Sequence, residues 1–167
     1  MILETGRLIL SELTVNDAPF FYKLVNDPSW IEFIGDRDVK TLADAENYLS
    51  TKIIPSYKIN GFGFYLVSSK NKNESIGISG LIDREGLENI DVGYAFLPEF
   101  RGKGYAYEAT KSVLSYAKNT LQIKPVIAIT NVDNIKSCQL LERLGLKFDK
   151  IIQLPDNPVK CKLYRTV

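Results

Sequence analysis

Arg101-Gly102-Lys103-Gly104-Tyr105-Ala106 brings together, in six consecutive residues, the groups needed to hold an anion. An extended run, Ile90 to Leu97, leads to a stop at Pro98, and a helical stretch, Tyr105 to Asn119, follows. Glycine lets the backbone adopt positive φ and approach a ligand closely. The first N–H groups of a helix have no intrahelical partner, and the helix dipole adds partial positive charge there. Arg101 and Lys103 add full charges, so a ligand carrying a pyrophosphate fits this place. Two familiar phosphate loops are excluded on residues. A P-loop needs Ser or Thr after Gly-Lys, where this chain has Gly104. A dinucleotide fingerprint needs a third glycine where Tyr107 stands.

The chain contains no histidine and two cysteines, Cys138 and Cys161. Ser-His-Asp and Cys-His machinery is therefore excluded, and so is a zinc site built from His and Cys. No metal is expected. Proton transfer must fall to Asp, Glu, Tyr, Lys, a thiol or water. Asp91 shares a strand face with the small residues Gly93 and Ala95 by two-residue alternation, so its carboxylate is expected to face an open cleft as a base. Its other reading is a solvated strand residue. Asn134 stands where a helix N-cap is wanted, with Ser137 near the first turn.

These residues need elements to position them. Leu8 to Leu13 reads as a strand. Thr14-x-x-Asp17 and Thr41-x-x-Asp44 read as capping boxes opening two helices, closed by Pro28 and Pro55. Those helices and the segment between them, with Trp30 and Phe33, are expected to form a lid on one side. Phe62 to Ser69, Ser75 to Asp83 and Ile90 to Leu97 read as a meander separated by polar turns. After the helix from Tyr105 come a strand Pro125 to Thr130, a helix Ile135 to Leu144 and strands near 147–153 and 160–165. Strands first and an αβα segment later imply an α/β fold with a mixed sheet covered by helices.

Length and composition (167 residues, 45% hydrophobic, 25% charged) fit one domain over residues 1–167. The N-terminus lacks the form of a signal peptide and no disulfide framework is present, so a reducing cytoplasm is expected. A net charge of +1 argues against nucleic acid as a partner, and no run is apolar enough to suggest a membrane. Residues 1–50 carry a balance of −5 and the remainder +6. The basic part suits a polyphosphate ligand and the acidic part a cationic one.

Arg101, Gly104 and Ala106 match the pattern Gln/Arg-x-x-Gly-x-Gly/Ala, which resembles the acetyl-CoA signature of the GNAT superfamily of N-acetyltransferases. Glu4-Thr5-Gly6-Arg7-Leu8-Ile9-Leu10, Asp27-Pro28, Gly61-Phe62-Gly63, Val92-Gly93-Tyr94, Asn134-x-x-Ser137 and Glu142-Arg143-Leu144-Gly145-Leu146 fall in the order of its ribosomal-protein alanine acetyltransferase-like branch. The resemblance implies a GNAT fold, a mostly antiparallel central sheet splayed around acetyl-CoA. It also implies acetyl transfer to a primary amine, either a protein N-terminus or a small cationic amine. It assigns cosubstrate binding to Arg101, Gly102, Lys103, Gly104, Tyr105, Ala106, Asn134 and Arg143. A β-bulge near Phe96 and Leu97 would aim one of their N–H groups at the thioester carbonyl. Ser137 would hydrogen-bond the thioester sulfur, and Asp156 aligns with a glutamate proposed as base. Many members carry a tyrosine acid where this chain has Leu141. That departure keeps open an alternative, a non-catalytic acyl-CoA-binding sensor. The oligomeric state is not readable from the residues.

Overall fold

In the computed structural model, which describes residues 1–155 and 157–167, the alternating apolar runs join one eight-stranded sheet ordered β1-β2-β3-β4-β5-β6-β8-β7. The strands are β1 (Leu3–Glu4), β2 (Leu8–Glu12), β3 (Phe64–Ser69), β4 (Glu74–Ile82), β5 (Asp91–Phe96), β6 (Ile127–Asn131), β7 (Lys147–Gln153) and β8 (Lys160–Arg165). All neighbours pair antiparallel except β5 and β6, which run parallel.

Alternation along the strands divides the core in two. Tyr65, Val67 and Ile76 join one cluster with Leu8, Leu10, Val92 and Phe96. The helices α5 (Tyr105–Asn119) and α6 (Ile135–Arg143) cover that face through Ala109, Val113, Cys138 and Leu141. Leu66 and Ile78 point the other way and join Leu13, Phe21, Leu24, Leu49 and Leu97 under the N-terminal helices. Each such large apolar side chain contributes roughly 1.5–3 kcal/mol when fully buried. Both faces being covered explains why β4 is buried nearly throughout instead of on alternate residues.

The N-terminal cover consists of α1 (Ala18–Val25), α2 (Pro28–Phe33), α3 (Leu42–Tyr48) and α4 (Pro55–Ile59), with a π-helical turn at Leu49–Ile53. Both capping boxes form, at Thr14 with Asp17 and at Thr41 with Asp44. The two prolines act differently from the sequence expectation. Pro28 and Pro55 do not close helices but occupy the first positions of α2 and α4. There the missing N–H is one that has no intrahelical partner anyway, and the fixed φ already suits a helix.

Candidate active site

The site is made by the parting of β5 and β6. Their ladder holds a single register pair, Asp91 with Ile127, and Ile127 N donates to Ile90 O at 2.9 Å. Beyond it the strands diverge. On the other edge of β5 the register with β4 runs unbroken from Ile82–Asp91 to Gly77–Phe96. The expected bulge is therefore absent from this ladder. Leu97 N donates to Ile76 O at 3.0 Å, which removes Leu97 as a donor to a ligand. By the alternation of an antiparallel ladder, the N–H groups of Tyr94 and Phe96 point to the opposite edge, into the gap. Of the two residues that the sequence offered as donor, Phe96 is thus the one whose N–H faces the gap.

At the C-terminal end of the gap the glycine turn is shaped as expected. Gly102 and Gly104 have φ of 73° and 82°. Gly104 is the N-cap of α5 and no side chain caps that end, so the first-turn N–H groups of the helix stay available. The contacts of Arg101 differ from the expectation. Its Nε and Nη2 donate to Phe96 O at 3.0 and 2.8 Å, and Nη2 also donates to Asp27 Oδ2 at 2.7 Å. The guanidinium ties the start of α2 to the end of β5, with its charge paired, and does not serve the cradle as a free cation. Asp27 also accepts from the Ser29 hydroxyl. Burial works to raise the Asp27 pKa, but Ser29 and Arg101 outweigh it, so the carboxyl stays below its ordinary value.

Two cradle residues escaped the sequence reading, Arg7 and Glu108. Glu108 accepts from Thr5 Oγ1 at 2.6 Å, Arg7 N at 2.9 Å and Arg7 Nε at 2.7 Å, while Arg7 Nη1 donates to Lys103 O at 3.0 Å. The Arg7 guanidinium lies 4.4 Å from the Tyr105 ring centre. An acid in the first turn of an anion-binding helix needs a counter-charge, and that was the available signal. Its partner lies 101 residues away in sequence, so only the fold supplies it. Further along, Lys111 Nζ and the Arg143 guanidinium lie 5.6 and 5.0 Å from the Tyr107 ring centre. Arg7, Gly104, Tyr107 and Lys111 line a groove of about 540 Å³ running along α5.

Across the gap, Asn134 Oδ1 accepts from Ser137 N at 3.2 Å, so the N-cap forms. Ser137 Oγ lies 2.6 Å from the hydroxyl of Tyr94, a residue that the sequence reading used only as a motif letter. Leu141 is buried in the core at 1% exposure, and its side chain packs with the cluster under α5 and α6. Asp91 departs from its expected setting. It is not open to a cleft but 1% exposed, with Arg84 Nε donating to Oδ2 at 2.9 Å. Its Oδ1 has no hydrogen-bond partner among the described residues. Burial pushes its pKa up to about 6 against the pull of Arg84. Asp156 lies outside the described residues.

A splayed parallel pair, a glycine turn opening a long helix and a second helix facing the gap together form a cleft for an extended, anion-ended ligand. A family model for the acetyltransferase (GNAT) domain matches residues 7–147. The chain belongs to the GNAT acetyltransferase family. It is 25% identical over 91% of its length, and 86% of the relative's, to the uncharacterized N-acetyltransferase YoaA of Bacillus subtilis strain 168. Its fold superposes on RimL, a ribosomal L7/L12 alpha-N-protein acetyltransferase solved with coenzyme A, with a TM-score of 0.84 at 16% identity, covering 99% of this chain and 97% of that one. It also superposes on a Vibrio cholerae spermidine N-acetyltransferase solved with CoA and spermine, with a TM-score of 0.79 at 18% identity, covering 96% and 95%. The GNAT chain is an acetyltransferase acting on amines, with acetyl-CoA as cosubstrate. The residues present suit that molecule. The uncapped α5 terminus fits its pyrophosphate, and the unpaired edge of β5 offers its amide-bearing arm a strand to follow. No helix among the described residues is long and apolar enough to cross a membrane.

Proposed function

We propose that this acetyltransferase acetylates a primary amine carried by a cationic acceptor, either a protein N-terminus or a small polyamine. The observation that carries the reading is the placement of charge. Glu32, Asp36 and Asp38 are all exposed on the N-terminal cover, in the stretch of chain that carries the acidic excess. That cover is linked to the cofactor strand by Asp27 and Arg101. Both acceptor classes are acted on by proteins of this fold, the ribosomal one by RimL and the polyamine by the Vibrio enzyme.

Acetyl-CoA, when bound, supplies an activated acetyl group as a thioester. The α5 terminus and Lys103 hold its pyrophosphate, with Tyr107, Lys111 and Arg143 at the adenosine end. Phe96 N–H polarises the carbonyl, in the manner of an oxyanion hole. Ser137 donates to the sulfur. Asp91 is buried, so a water chain from the gap carries the proton of the attacking amine to its Oδ1 while Arg84 holds the other oxygen. A terminal α-amine, with an ordinary pKa near ~7.7–8.0, needs less help than a lysine-like amine near ~10.4. The test is thiol release from acetyl-CoA with spermidine, with a peptide bearing a free N-terminal alanine, and with neutral and anionic amines. Faster turnover of the two cationic classes is expected. Preference for an anionic amine would overturn the reading.

A further inference from the structure

We propose that Tyr94 is a positioning residue for thiol departure: its phenol donates to Ser137 Oγ and so directs the serine's own proton toward the sulfur. The inference rests on Ser137 being the sulfur's donor.

Tyr94 stands on β5 and Ser137 in the first turn of α6, which follows β6, so their 2.6 Å hydrogen bond bridges the gap between the parting strands. Tyr94 N–H, by the alternation above, faces that same gap. The direction of the bond follows from acidity, since a phenol is a far stronger acid than an alkyl hydroxyl. Burial raises the Tyr94 pKa to about 12, so it remains a protonated donor through the working pH range. A helical serine ordinarily turns its proton back to a carbonyl one turn earlier. No such bond forms here among the described residues; the Oγ partner is Tyr94. A serine that accepts from a phenol has its rotor fixed and its O–H strengthened as a donor.

In the chemical step the amine nitrogen bonds to the thioester carbonyl carbon, the C–S bond breaks and its electron pair moves onto sulfur. Ser137 stabilises the thiolate by hydrogen bonding, and Tyr94 keeps its proton. The proton that Asp91 takes from the amine returns to the thiolate through water, so charge and protons balance. Leu141, packed in the core, contributes nothing to this end of the reaction.

The experiment reads the pKa of the CoA thiol in the binary complex with CoA, from the ultraviolet absorption of the thiolate as pH is varied. It needs no acceptor. A donor to the thiolate lowers that pKa. Tyr94→Phe, which removes only the hydroxyl, is expected to raise it by ~0.5–1 unit. Ser137→Ala is expected to raise it at least as far, and Tyr94→Phe should add nothing in the Ser137→Ala background. Turnover should follow the same pattern, with the acetyl-CoA Kd of Tyr94→Phe within about twofold of wild type. An unchanged thiol pKa in Tyr94→Phe, or an additive shift in the double variant, would overturn the role of Tyr94 and leave Ser137 in place. An unchanged thiol pKa in Ser137→Ala would remove the serine's role and this inference with it.

Discussion

Ser137 and Asn134 are three residues apart and share one hydrogen bond, yet their substitution should be felt in different measurements. The Asn134 side chain caps α6 through Ser137 N. Asn134→Ala should therefore cost on the order of 1 kcal/mol of stability, seen in denaturant unfolding, and weaken acetyl-CoA binding. Ser137→Ala should instead lower kcat by about 10-fold at saturating substrates, because its hydrogen bond strengthens only as charge builds on sulfur. Equal kcat in wild type and Ser137→Ala, with chemistry limiting, would take the serine out of the mechanism. Asp91 makes a separate prediction in pH. As a base it acts ionised, so kcat/KM should fall as pH drops through about 6. Asp91→Asn should lower the plateau and remove that limb. Its effect on stability has the opposite sign. A folded pKa raised above the ordinary carboxyl value favours folding at low pH, and that contribution is lost as pH rises through about 6. Unfolding free energies measured from pH 4 to 7 should accordingly slope less in Asp91→Asn than in wild type. A persistent acid limb in Asp91→Asn would assign the titration to another group.

The glycine turn and the helix after it were legible because their information is local. A proline stop, two glycines and an amphipathic run specify a strand end, a left-handed turn and a helix start within 17 residues, Ile90 to Ala106. The same locality made both capping boxes readable and placed β7 and β8 where the sequence put them. What was misread depends on neighbours. Pro28 can end a helix or begin one, and packing of Trp30 against the N-terminal core makes it begin one. Leu97 was a plausible donor until β4 supplied Ile76 O. Asp91 alternates with small residues as an exposed strand residue would, but Arg84 and the covering layers bury it. At this scale the decisive substitution is Gly104→Val. Gly104 has φ 82°, a conformation that β-branched residues strongly disfavour, and an added Cβ would lie 3.3 Å from Arg7 Nη2. Backbone strain of roughly 1–3 kcal/mol and obstruction of the cradle should weaken acetyl-CoA binding at least ~10-fold by calorimetry. Unchanged affinity would place the pyrophosphate elsewhere.

Over the whole molecule, the two parts of the chain differ in charge, and the first contributes β1 and β2 to the sheet as well as most of the helical cover on one of its faces. The basic part builds most of the cradle, with Lys103, Lys111 and Arg143 around α5 and α6, and the first part adds Arg7. The acidic part supplies α1 to α3 on the opposite face. Under the proposed function a cationic acceptor would meet the exposed carboxylates of Glu32, Asp36 and Asp38, and acetyl-CoA the basic groups around α5. Part of the N-terminal acid is already matched: Asp27 by Arg101, and Asp38 by Lys40 at 3.2 Å. The Asp38–Lys40 pair is exposed and weakly held, so a cationic group can displace Lys40 from Asp38. Reversing Glu32, Asp36 and Asp38 to Lys changes the net charge of that surface by about six units, while no apolar core residue is touched. The KM for a cationic acceptor should rise, by ~10-fold or more at low ionic strength, and the increase should shrink as salt screens the charges. The KM for acetyl-CoA should stay near its wild-type value, because no cradle residue is changed. A parallel rise in both constants would show that the substitutions disturb the fold or the link through Asp27 and Arg101. An unchanged acceptor KM would move the acceptor away from the N-terminal helices.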